Sequence, residues 1–184
     1  METFYRYMRN SRNILIEDDG KPVGGKWNYD NENQNFDKTH TPSWSWKCEN
    51  AMYIDEAREY YGVPNISFLL PVSRSDALSL LQYFLEYHYA DFGRLEDAMY
   101  HDDMRVHHSM LSTAINFGIL HPSEAIEAAI AWHAPLNSVE GFVRQILGWR
   151  EYMRQFFLYY YDDIYSNNTL DHHTPLPESW WNYE

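Results

Sequence analysis

Two stretches of this chain combine residue types that bind anions. The first, His107-His108-Ser109-Met110-Leu111-Ser112, places two hydroxyls and an imidazole where an apolar helical pattern begins. A helix start offers unpartnered backbone N–H groups and the positive end of the helix dipole, a combination that holds phosphate. The same serines would serve equally well as ordinary caps. The second stretch runs from Arg144 and Gln145 through Gly148, Trp149, Arg150 and Glu151 to Arg154. On a regular helix 144, 148 and 151 share one face and 146, 149, 150 and 153 another, so Trp149 and Arg150 turn partly toward whatever the helix packs on. Two chemistries are open there. One is an internal ion pair with Glu140 or Glu151 beside a core tryptophan. The other is a cavity in which guanidinium and indole meet an anionic or flat aromatic ligand such as a nucleotide.

Other reactive-looking residues carry less. The neighbours in His107-His108 and in His172-His173 diverge in direction, which disfavours a shared metal. Cys48 is the single cysteine, excluding an internal disulfide and any multi-cysteine metal cage and suiting a reducing compartment. Gly24-Gly25 lacks the strand and helix that frame a phosphate loop, and Asp18-Asp19-Gly20 lacks the alternating oxygen ligands of a calcium loop.

The elements that must position these groups divide near residue 70. Upstream, Gly, Asn, Asp and Pro interrupt every apolar run. A helix over Glu2–Met8, a small hairpin turning at Asp18-Asp19-Gly20, and a helix at Tyr53–Tyr61 are expected in an otherwise irregular segment anchored by its tryptophans. Downstream, four helices are expected. Ser73 with Asp76 caps the first, whose stripe is Ala77, Leu80, Leu81, Phe84 and His88 and whose end falls before Gly93. His107 to Ser112 opens the second, closed by Gly118, and Pro122 begins the third. Asn137 caps the fourth, with Glu140 in its first turn and a stripe of Val139, Phe142, Val143, Ile146, Trp149, Met153, Phe156 and Tyr160. No strand alternates with helix, so a parallel α/β sheet is disfavoured.

Length and charge narrow the class. The 184 residues fit one domain or part of a larger one, and 45% apolar content argues against wholesale disorder. No run approaches the roughly 20 apolar residues of a membrane span, and the N-terminus has no secretory pattern, so a soluble, cytoplasmic protein without membrane partners is expected. Fourteen basic against 27 acidic side chains leave a formal charge of −13, which excludes a uniformly basic nucleic-acid surface but not a local basic stripe.

The two anion-binding stretches resemble segments of the photolyase/cryptochrome family. His108 to Ser112, continuing through Asn116-Phe117-Gly118-Ile119-Leu120-His121-Pro122, resembles the Ser-x-Leu-Ser segment that wraps flavin phosphates ahead of a helix ending in Gly-x-Leu-x-Pro. Phe142 to Tyr152 resembles that family's Trp-Arg-Glu helix, which borders both flavin and DNA lesion. Phe4-Tyr5-Arg6 and the stretch Pro22 to Asn33 are similar to the bacterial photolyase-related branch that carries an iron–sulfur cluster and repairs (6-4) photoproducts.

The resemblance implies an all-α fold: the N-terminal half of a photolyase-type flavin-binding helical domain, residues 71–184, preceded by an irregular connector with a small hairpin, residues 1–70. It implies FAD as cofactor, with His108, Ser109, Leu111 and Ser112 at the phosphates and Gln145 and Arg150 bordering the flavin. Trp149 would face the lesion and Arg144 the DNA. No catalytic or metal-ligating residue is implied here, and the iron–sulfur ligands are absent from this chain. The implied partners are UV-damaged DNA and complementary photolyase pieces, namely an antenna domain and a cluster-bearing C-terminal half. Gln34 and Leu95 depart from the family pattern. The expected activity is light-driven repair of pyrimidine dimers by part of a photolyase-like lyase. A cryptochrome-like flavoprotein without repair and a decayed, non-catalytic helical fragment remain alternatives.

Overall fold

In the computed structural model the described residues are 1–35, 43–50, 52–62, 70–103 and 105–182. Among them the chain is all-α, its one β feature an antiparallel bridge between Ile16 and Pro22. The helices are α1 (Glu2–Arg12), α2 (Met52–Tyr61), α3 (Arg74–Tyr87), α4 (Tyr89–Leu95), α5 (Ser112–Asn116), α6 (Pro122–Ala131), α7 (Leu136–Val143), α8 (Glu151–Ser166) and α9 (Ser179–Asn182). A π-helical segment, Arg144–Arg150, joins α7 to α8. No helix among the described residues is long and apolar enough to cross a membrane.

Local chemistry explains most boundaries. Ser73 caps α3 in a reciprocal box with Asp76, whose carboxylate also accepts from the backbone of Glu49 at 3.1 Å, tying the upstream segment to the helix start. Pro122 occupies the first turn of α6, where a missing N–H costs nothing. The core joins α3, α4, α6 and α7 around Phe142, whose ring lies 5.2 Å from Phe84 and 5.7 Å from Phe92 in tilted and edge-on geometries favoured by aromatic pairs. Residues from α1 enter the same core. Tyr5 is fully buried, and Arg9 donates to the carbonyls of Ile14, Leu15 and Trp27, fixing the expected hairpin beneath it.

The first of the four expected helices ends before Gly93, since α3 breaks at His88 and a separate helix, α4, runs through Gly93; three other expectations are corrected. The glycine is there because α7 crosses at that point, and a Cβ would lie 2.3 Å from the Ser138 nitrogen. The second helix begins at Ser112 instead of His107, because Val106 (φ 43°) and Met110 (φ 58°) adopt left-handed conformations that end its apparent periodicity. Asn137 lies inside α7, capped by Pro135, and Glu140 turns into the core. Finally, Met153, Phe156 and Tyr160 of the long apolar stripe are exposed on α8, which buries no residue. Val63 and Pro64, expected to follow α2, lie outside the described residues.

Candidate functional site

The loop left by the late start of α5 forms one wall of a cleft of about 440 Å³. His108, Ser109, Leu111 and Ser112 line it from the loop side, and Gln145 and Arg150 from the π-helical segment. Phe92, Ile115, Phe142 and Ile146 supply apolar lining, with Glu96 and Asp97 from the end of α4. Thus the six residues singled out for a cofactor come together. The two stretches, some thirty residues apart in sequence, meet because α6 and α7 return the chain to the α4 side of the core.

The two arginines of the second stretch have opposite fates. Arg144 is 4% exposed, and its guanidinium meets Glu140 Oε1 at 3.1 Å, Asp30 Oδ1 at 2.6 Å and Glu96. Burial opposes its charge, but Glu140, Glu96 and Asp30 outweigh that and raise its pKa. Glu140 also accepts from the Tyr5 hydroxyl at 2.9 Å and the Tyr29 N–H at 3.1 Å. Burial pushes the Glu140 carboxyl up, offset in part by Arg144 and these donors. Arg144 is therefore an internal ion-pair partner, and the expectation of a DNA-facing guanidinium is corrected: three carboxylates hold it inside. Trp149, expected at a lesion pocket, is 45% exposed and does not line the cleft.

Arg150 by contrast lines the cleft, and its Nε is buried with no hydrogen-bond partner among the described residues. A cationic donor in that state is poised for an anion. Across from it, the Ser109 hydroxyl accepts a long bond from the Leu111 N–H at 3.5 Å, and the Ser112 side chain is exposed. Thr113 Oγ1, in the first turn of α5, is also buried without a partner among the described residues. The His108 Nε2 lies 3.3 Å from the Ala98 carbonyl, a contact in which the ring nitrogen donates. Because α5 has only five residues, its dipole adds little, and the polar side chains must carry any anion recognition.

The back of the loop is pinned from the upstream segment. His88 stacks on Trp44 with ring centres 4.0 Å apart and 9° between planes, its Nδ1 lies 3.4 Å from the His107 Nδ1, and Trp44 donates to the Val106 carbonyl at 2.8 Å. Burial first, then His107 and Arg105, lower the His88 pKa to about 4, so the ring is neutral at ordinary pH. Sequence reasoning foresaw tryptophan anchors but not this pair, since nothing in the spacing of His88 and His107 announces it. Thr113 and Glu96 were likewise missed, having no periodic or motif signal. Among the described residues no cluster of His, Cys, Asp and Glu is placed to hold a metal.

Comparison with known proteins adds a family signal. A family described as deoxyribodipyrimidine photo-lyase-related protein matches residues 1–60. The chain is 36% identical over 195 aligned positions to a (6-4) photolyase of Agrobacterium fabrum, an alignment covering 98% of this chain and 38% of that relative. It is also 34% identical over 77 residues to an uncharacterized protein of Acanthamoeba polyphaga mimivirus, covering 39% of this chain and 59% of the viral protein. The chain thus spans less than two thirds of the length of either relative.

Proposed function

The chain belongs to the photolyase-related family, and on that premise we propose that its cleft holds the phosphate-bearing part of FAD within a light-driven DNA repair photolyase. One observation carries the reading: Ser109, Ser112 and Arg150, from separate segments, line one cleft, and the buried Arg150 Nε has no hydrogen-bond partner among the described residues. Its volume lies within the roughly 300–1,000 Å³ range of small-molecule sites, and its mixture of apolar lining and a few polar groups is the usual composition of such sites.

In this reading Ser109 and Ser112 donate hydroxyl protons to phosphate oxygens, and His108 stands beside them, held by the Ala98 carbonyl. Arg150 balances phosphate charge, satisfying its buried Nε. Gln145 is tethered to Glu96 at 3.4 Å and so keeps its amide at the rim. Leu111, Phe92 and Phe142 exclude water from the apolar side. When bound, the flavin supplies the electron that light drives into a covalently linked pyrimidine pair. Such a lesion must leave the DNA stack to be reached. Trp149, half-exposed one residue from Arg150, is the candidate for stacking on it.

The substrate in this reading is UV-damaged DNA, with (6-4) photoproducts favoured by the name of the relative covered by nearly the whole chain. The exposed aromatic faces of α8 support a surface for further photolyase-type pieces, the antenna and cluster-bearing parts. A cytoplasmic setting accords with this chemistry.

The test is FAD binding followed by flavin fluorescence quenching, with the wild type against Ser109→Ala/Ser112→Ala and against Arg150→Gln. Loss of charge-assisted hydrogen bonds worth roughly 1.5–3 kcal/mol each predicts at least about tenfold weaker binding in both. Equal binding by the double variant would overturn the phosphate assignment. Repair of irradiated DNA under blue light, with companion pieces supplied, separates a photolyase from a flavoprotein that binds without repairing.

A further inference from the structure

Arg150 stands at a wall shared with a second cleft of about 480 Å³ on the other side of the π-helical segment. This cleft lies among α1, the start of α6 and the start of α8. It gathers three of the chain's ten arginines, Arg12, Arg150 and Arg154. Two carboxylates, Glu127 and Glu151, share it, so the formal balance is 3 − 2 = +1 in a molecule whose net charge is −13.

The pairing within the cleft makes that local balance more telling. Glu151 is engaged by Arg154 through two bonds of 2.9 Å and by Gln155. Arg12 and Arg150 make no ion pair with any described residue, and the Arg150 Nε is buried without a hydrogen-bond partner among them. Glu127 lines the same cleft and makes no ion pair with a described residue, while Arg150 also feels the neighbouring Glu151 carboxylate. The first amides of α6 are already used, Ser123 N–H by the His121 ring and His121 N–H by Glu124, so recognition falls to the arginines. Met8, Ile14, Ile126, Ile146 and Leu147 complete the lining with apolar surface.

We propose that this second cleft binds a nucleotide phosphate, with Arg12 gripping the phosphate from the outer side and Arg150 from the inner wall, Arg154 standing beside them in its pair with Glu151, and the aliphatic lining receiving the nucleoside. Guanidinium groups suit phosphate because their planar donors match its oxygens, and the apolar surface gives a reason for the phosphate to arrive on an apolar carrier and not as a free ion. Free nucleotide and a nucleotide within a DNA strand present the same chemistry. The site shares Arg150 and Ile146 with the first cleft, so the one Arg150 Nε–H serves a ligand in either cleft but not in both at once.

The experiment follows the arginine Nε–H resonances by NMR while adenosine monophosphate is titrated into the full chain, with inorganic phosphate, adenosine and a five-residue oligothymidylate as parallel probes. Adenosine monophosphate is expected to shift the Arg12 and Arg150 signals together and to bind at least tenfold more tightly than phosphate or adenosine alone. Arg12→Gln, at an exposed position in the last turn of α1, is expected to weaken binding about tenfold. Glu127→Gln, which removes the opposing carboxylate, is expected to strengthen it severalfold. Ser109→Ala/Ser112→Ala is expected to leave it unchanged, so failure of the FAD reading and failure of this one are distinguishable. Tighter binding of the oligothymidylate, weakened by Arg12→Gln, assigns the phosphate to a DNA strand; tighter binding of the monophosphate assigns it to a free nucleotide. Absence of arginine shifts, or equal affinity for inorganic phosphate, or indifference to both Arg12→Gln and Glu127→Gln, would overturn the proposal.

Discussion

Acid should loosen this fold through one histidine. His88 has only 2% of its surface exposed, between Trp44 and His107, and its pKa is lowered to about 4 by burial and then by the neighbouring His107 and Arg105. Asp103 and Asp91 act the other way but do not prevail. Above pH 6.5 the ring is neutral in both folded and unfolded chains and costs nothing. As pH falls from 6.5 toward 4 the unfolded chain takes up a proton that the folded one refuses, so stability declines by up to about 1.4 kcal/mol per pH unit. Across the whole interval the loss approaches about 3 kcal/mol, a sizeable share of the roughly 5–15 kcal/mol that stabilises a typical domain. Urea unfolding followed by circular dichroism at several pH values from 7 to 4 measures it. His88→Phe retains a ring to stack on Trp44 and removes the titration, so its curve of stability against pH should be flatter by about that amount. Parallel curves for the variant and the wild type would refute the reasoning. Because Trp44 and His107 brace the Val106–Leu111 loop, ligand uptake in the first cleft should weaken over the same interval.

Two further outcomes follow from the packing. Gly93→Ala forces a Cβ to within 2.3 Å of the Ser138 backbone nitrogen and 2.4 Å of the Asn137 carbonyl carbon, where no flexible side chain can yield. It should cost about 2–3 kcal/mol or more, read as a lowered urea midpoint with an unchanged slope. Arg144→Met strands the buried Glu140 and Glu96 without their cation and should cost about 3–5 kcal/mol, while adding Glu140→Gln should recover part of that loss.

What the sequence disclosed depended on whether one local rule governed a position. The Ser73–Asp76 box and Pro122 acted through bonds within a single turn, and both helix starts stand where those residues put them. Gly93 and Gly118 look alike in the sequence, yet only Gly118 has the left-handed φ, 73°, of a chain reversal. Gly93 answers to α7, forty-odd residues away, and no local pattern records that distant backbone. Val106, Met110 and Leu111 have helical spacing, yet Leu111 and Met110 pack on the main core while Val106 joins a separate cluster with Leu95 and Ala98, and the left-handed Val106 and Met110 break the helix that the spacing implied. For the cleft, residue types on each wall were legible, while the partners that distinguish Arg144 from Arg150 were not, since Asp30 and Glu96 come from other parts of the chain.

The π-helical segment explains how two arginines six residues apart reach such different surroundings. A π turn accommodates an extra residue, so each side chain beyond it is displaced by about 100° from the face a regular helix would give it. The regular-helix assignment put Trp149 and Arg150 together against the core; the widened turn leaves Trp149 outside and brings Arg150 to the wall between two clefts. A π turn sacrifices regular hydrogen bonding and persists where tertiary contacts favour it, and here α1 supplies them. A Cβ on Gly148 would stand 3.2 Å from Met1 Sδ and 3.2 Å from the Tyr5 ring, so the glycine lets α1 settle directly on the widened turn. Tyr5 then reaches Glu140, the residue that holds Arg144. The N-terminal helix therefore shapes both clefts, indirectly through the register of Arg150 and directly through Met8 and Arg12.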